Sequence, residues 1–311
     1  MSNKVFIIGN GFDLDLGLNT RYSDFAKSDK WPFTTTHLPN SLAGYLKKKA
    51  NVEKWFDLEK ELLLYSQNRI GAERALARYK TQAENDKRMF DDLNQSLTAY
   101  LKREERTELK KDSVAAKVLL SIIESDLFSS IYSFNYTDLH NIAAQLGSNK
   151  KFEYEHVHGC LKENSIILGV EEGTDLLPGY QYLYKTFNPH YESHYIQYDM
   201  LEADEVVFFG HSLGHNDYHY FQMFFQEQCR DGMKRKDGKR ITIFTYNDSS
   251  RIEILEQLRQ MNNKKTDLLF NLNQMEVIYT KDGGGYRLER FINRLKEEAN
   301  SLDNFMQNGI Y

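Results

Sequence analysis

Short apolar runs without alternation set the limits on what this chain can become. Val5-Phe6-Ile7-Ile8, Val206-Val207-Phe208-Phe209 and Ile241-Thr242-Ile243-Phe244 carry large or branched side chains at nearly every position. Successive strand residues point to opposite faces, so runs of this kind are strands covered on both sides. Further strand signals lie at Ser130 to Phe134, Glu153 to Val157, Ser165 to Leu168 and Glu276 to Tyr279. Helical patterns follow at Asp217 to Arg230, Ser249 to Met261 and Tyr286 to Ser301. Strands alternating with helices predict an α/β fold, a Rossmann-like, mostly parallel sheet with helices on both faces.

The first two strand signals are far apart. Between Pro39 and Pro178 no proline interrupts the chain, and residues 41–127 are rich in Lys, Glu, Leu, Ala, Gln and Arg. Apolar residues recur there at helical spacing, as in Trp55, Leu58, Leu62 and Tyr65, or Phe90, Leu93, Leu97 and Leu101. We read residues 41–127 as an all-helical insertion after the first strand, and residues 1–40 with 128–311 as the α/β core. Trp55 reads as a core residue of that stripe. Asp57 and Glu59 are two apart and do not share a helix face. The charge runs Lys47-Lys48-Lys49 and Lys102 to Lys111 read as solvated helix faces.

Composition narrows the function classes. The chain has 311 residues, with 40 Lys and Arg against 45 Asp and Glu, a formal charge of −5. That balance argues against duplex nucleic acid as a partner, which calls for a basic face. Cys160 and Cys229 are the only cysteines, which excludes a disulfide framework and any zinc site built from CxxC pairs. No run approaches the about 20 apolar residues of a membrane span, and Val5 to Ile8 is too short for a signal segment. The expected location is the cytoplasm.

In open parallel sheets ligands bind beyond the carboxyl ends of the strands. Gly9-Asn10-Gly11-Phe12-Asp13 follows the first strand, a turn suited either to phosphate approach or to tight packing, with Asp13 able to cap a helix. Asn135 follows the second strand, and its amide can hold ribose hydroxyls or water. Asp138 beside it is a helix cap or a site carboxylate. His156 and His158 point to one side of the third strand, and His158 with Gly159 stands at its end, where an imidazole can act as general base. Gly210, His211 and Ser212 end the next strand, and Asn247 the one after. Seven of the nine histidines, His211, His215 and His219 among them, raise a metal reading. Gly210 and Gly214 scatter these three, and no His-Glu-x-x-His accompanies them. The expected metal set is none.

Ile7-Ile8-Gly9-Asn10-Gly11-Phe12-Asp13, Trp55-x-Asp57-x-Glu59, Phe134-Asn135-Tyr136-Thr137-Asp138, His156-Val157-His158-Gly159 and Gly210-His211-Ser212 together resemble the AbiH family of phage abortive-infection proteins. More distantly the blocks are similar to the sirtuin-like NAD-binding core, which implies a sirtuin-type sheet. The resemblance implies that Gly9, Asn10, Gly11 and Phe12 cradle the pyrophosphate and that Asn135 contacts the nicotinamide ribose. It implies His158 with Gly159 as base, Gly210 and Ser212 on a ribose, and Asn247 on the adenosine. Thr137 stands where the core family has Asp, Phe134 where deacetylases have Gln, and their zinc module is absent.

The activity implied is cleavage of NAD, as substrate with no further cofactor, to nicotinamide and ADP-ribose. Asn135 and His158 would carry it, with Asp13 or Asp138 stabilising the developing cation. A silent NAD or ADP-ribose sensor and a metal-dependent nuclease or phosphoesterase are the alternatives. An activity of this kind must stay silent until infection, so a phage-derived trigger and a homo-oligomer are expected partners. The helical insertion is either their surface or a cover over the site.

Overall fold

The structure, a computed structural model, describes residues 3–34, 40–52, 56–67 and 76–308. Trp55 lies outside them. The strands are β1 (Lys4–Ile8), β2 (Ser130–Ser133), β3 (Glu155–His156), β4 (Glu205–Phe209), β5 (Arg240–Thr245) and β6 (Gln274–Tyr279). The helices among the described residues are α1 (Asn10–Asp15), α2 (Tyr22–Lys27), α3 (Leu42–Val52), α4 (Leu58–Gln67), α5 (Leu76–Glu104) and α6 (Val114–Ser125). They continue with α7 (Leu139–Gln145), α8 (Ile196–Glu202), α9 (Tyr218–Glu227), α10 (Asp248–Met261), α11 (Thr266–Leu272) and α12 (Gly285–Asn308).

The chain forms two compact units. The first holds Met1–Leu18, Glu108–Val157 and Ser193–Tyr311; the second holds Asn19–Thr107 and His158–Glu192. These bounds differ from the expected insertion at both ends. Residues 19–40 and 158–192 go with the helices, and residues 108–127 go with the sheet. The physical reason is α6: Val114, Val118, Leu119, Ile122 and Ile123 are buried in one cluster with Phe6 and Ile8 of β1.

All six strands are parallel, in the order β3-β2-β1-β4-β5-β6. This is the Rossmann order, in which the chain reverses its direction of growth between β1 and β4. The unalternating runs do cover both faces. Phe6 and Ile8 of β1, with Val207 and Phe209 of β4, face the core that α6 and α12 complete. Val5, Ile7, Val206 and Phe208 face the opposite core beneath α8, α9 and α10. Each large apolar side chain so buried contributes about 1.5–3 kcal/mol. Ser165 to Leu168 is not a strand. The Ser165 N–H donates to the Cys160 carbonyl and the Ile167 N–H to that of His158, so the run folds back locally.

Lys4 and Glu205 face one another in the β1–β4 register, each 1% exposed. Their salt bridge, 2.6 Å, is joined by Arg294 and Glu298 of α12 and by Arg240 of β5. The second unit has its own polar centre at Asp86 of α5. Its carboxylate accepts from the Tyr65 hydroxyl at 2.7 Å, the Tyr180 hydroxyl at 2.6 Å, the Leu42 N–H at 3.0 Å and Gln82 at 2.9 Å. Among the described residues no helix is long and apolar enough to cross a membrane.

Candidate functional site

The direction change between β1 and β4 is where a Rossmann sheet opens a crevice, and three glycines meet there. The Gly9 N–H donates to the Phe209 carbonyl at 2.9 Å, and the Gly11 N–H to the Gly210 carbonyl at 2.8 Å. Gly210 has φ +63°, and a Cβ on it would lie 2.4 Å from the Phe12 nitrogen. The two loops therefore interlock backbone to backbone, and only glycine fits. Both glycine N–H groups are spent on this contact, as is that of Phe12, which donates to the Gly9 carbonyl at 2.9 Å. The glycines thus build the floor of the crevice, and their own N–H groups are not free to hold a phosphate. Asn10 is exposed. Phe12 is fully buried, its ring edge-on to Phe209 at 5.3 Å. It supports the loop from the core and presents no ligand surface.

Beside this floor sits a buried polar triangle. Asp13, 1% exposed, accepts from Asn135 Nδ2 at 2.8 Å and from the Thr137 hydroxyl at 3.1 Å to each oxygen. Asn135 Nδ2 also donates to the Gly9 carbonyl at 3.1 Å. Both amide hydrogens are thereby committed, and what Asn135 has to offer a ligand is the acceptor Oδ1. Thr137, the departure from the Asn-x-Asp pattern, is in effect a partner of Asp13. His156 Nδ1 lies 2.9 Å from the Asn135 carbonyl.

Asp138 turns out to be the N-cap of α7. Its Oδ1 accepts from the His140 and Asn141 N–H groups and from the Tyr154 hydroxyl at 3.0 Å. Asn247 likewise caps α10, its Oδ1 accepting from the Ser250 N–H at 3.1 Å and hydroxyl at 3.2 Å. Capping explains both residue types without a ligand. Ser212 is exposed at the end of β4. Its neighbour His211 is buried, accepts from the Leu213 N–H on Nδ1 at 2.9 Å, and so carries its proton on Nε2, 3.5 Å from Asp217.

These blocks together decide the family. The chain matches the family described as Bacteriophage abortive infection AbiH over residues 5–234. It belongs to the AbiH family. No curated protein matches the chain. The match takes in both the interlocked glycines and the Asp13 triangle of this AbiH chain, together with His158.

His158 belongs to the second unit of the AbiH fold, where it is 6% exposed. Its Nε2 lies 3.5 Å from Lys185 Nζ. Lys185, 2% exposed, is paired with Glu171 at 2.9 Å and Glu59 at 3.3 Å. An ammonium has only donors, so it meets Nε2 as an acceptor. Gly159 has φ +72°, and a Cβ there would lie 2.0 Å from the Ser165 carbonyl oxygen. Close backbone approach is what requires glycine at this position. Lys185 and Glu171 gave no signal in the sequence beyond a lysine within an aromatic stretch. Glu59 was visible in its motif, but its partner was not. Among the described residues no three His, Cys, Asp or Glu side chains are grouped to hold a metal ion.

Proposed function

We propose that this chain acts in phage defence by hydrolysing NAD to nicotinamide and ADP-ribose. The observation that carries the reading is the Asp13–Asn135–Thr137 triangle at the crevice of a Rossmann sheet. Its bonds to the Asp13 carboxylate and the Gly9 carbonyl fix the Asn135 amide in one orientation and leave Oδ1 as its acceptor. That oxygen accepts from a water or from a ribose hydroxyl. Water adds to the ribose anomeric carbon as the bond to the pyridinium nitrogen breaks, and its electron pair leaves with neutral nicotinamide. The transition state carries oxocarbenium character, and the buried Asp13 carboxylate favours positive charge near it. One proton is released from the water. That proton passes to solvent.

Asn135→Ala, checked by circular dichroism for a wild-type fold, tests the assignment. Loss of NAD turnover supports it; undiminished turnover sinks it. Binding of NAD or ADP-ribose without any turnover by the unaltered protein selects a sensor instead. Activity on nucleic acid or phosphoesters that a chelator abolishes selects a metal-dependent hydrolase.

A further inference from the structure

Tyr246 stands on the loop between β5 and α10 and is 58% exposed. Its backbone is nevertheless fixed. The Thr280 N–H donates to the Thr245 carbonyl at 2.8 Å, and the Lys281 N–H to the Tyr246 carbonyl at 3.0 Å. An aromatic ring on a pinned backbone, left in water at the ligand edge of a parallel sheet, is a surface prepared for stacking. Strand order gives its distance from the chemistry. With the reactive ribose at Asn135 beyond β2, the crevice crosses β1 and β4 before reaching β5. Three strand spacings make about 14 Å, on the scale of an extended dinucleotide whose pyrophosphate crosses the β1–β4 boundary. The opposite direction offers only β3, which has two residues. Asn247, the neighbouring polar candidate, spends its Oδ1 on the α10 cap.

We infer that Tyr246 is the platform on which the adenine of the dinucleotide stacks, an inference that rests on the NAD reading above. The platform gives the site its preference for NAD and ADP-ribose over nicotinamide mononucleotide, which has no second base. Calorimetric titration of the full chain with NAD and with nicotinamide mononucleotide, for wild type, Tyr246→Ala and Tyr246→Phe, tests it. Tyr246→Ala is expected to weaken NAD at least about fivefold, as loss of one aromatic–base stack does, while leaving the mononucleotide unchanged. Tyr246→Phe, which keeps the ring, is expected to stay within about twofold of wild type. Equal NAD affinity in wild type and Tyr246→Ala overturns the platform alone. Equal weakening of both ligands also overturns it, because that pattern reports a disturbed loop. A wild-type protein that binds neither ligand overturns the NAD reading, and the platform with it.

Discussion

Gly210 and Asp15 show how single residues constrain this fold in opposite ways. At Gly210 a methyl group has no room, because the Phe12 nitrogen and the Gly11 carbonyl carbon would lie 2.4 and 2.5 Å from it. The positive φ adds about 1–3 kcal/mol of strain for any other residue. Gly210→Ala is therefore expected to lower the urea midpoint sharply and to disturb NAD binding at a distance from Asn135. Asp15 is held by the Ala115 N–H at 2.7 Å, yet burial outweighs this and Thr280 and raises its carboxyl above 3.8. A raised folded-state value makes its contribution full below pH 3.8 and lost as pH rises through the folded value. Asp15→Asn keeps an acceptor without the charge. It is expected to match wild type in acid and exceed it at neutral pH; a variant less stable at neutral pH contradicts this. The glycine turn and Asn135 were legible in the sequence as chemistry-bearing residue types. Their internal commitments were not, because hydrogen bonds among residues 9, 13, 135 and 137 arise only when β1 and β2 pair.

At the scale of elements, the strands were the most legible part, since residues such as Phe208 and Phe209 have no solvent face to show. The short run at Ser165 shows the limit of that signal: three apolar residues after a serine fit a folded-back turn as well as a strand. Helix α6 is as apolar as a strand core, and only its contact with Phe6 and Ile8 reveals that it belongs to the sheet. Two polar hubs tie elements together. Glu205 joins β4 to β1, β5 and α12 through Lys4, Arg240 and Arg294. Removing one member of a buried ionic network strands the others, so Glu205→Ala is expected to cost about 3–5 kcal/mol in chemical denaturation. Asp86 joins α3, α4 and α5 through Leu42, Tyr65 and Gln82. Asp86→Ala is expected to open the second unit, seen as faster amide hydrogen exchange across α3 and α4; unchanged exchange there contradicts its role.

For the whole molecule, acid is expected to act on the same ionic network. Burial raises the Glu298 carboxyl, but hydrogen bonds and charge from Lys4 and Arg294 together bring it below 4.5. A lowered folded-state value gives stability that is present above pH 4.5 and lost as pH falls through the folded value. Glu298→Gln is expected to fall short of wild type at neutral pH and to converge with it in acid, the reverse of Asp15→Asn. Function is a property of the molecule at this scale too, because family membership joins a Rossmann crevice to a role in phage defence. The most direct test incubates purified protein with NAD, with and without phage lysate, and separates the products. Equal amounts of nicotinamide and ADP-ribose, absent with Asn135→Ala, are the expected result. Intact NAD under both conditions, or the same products from Asn135→Ala, contradicts it.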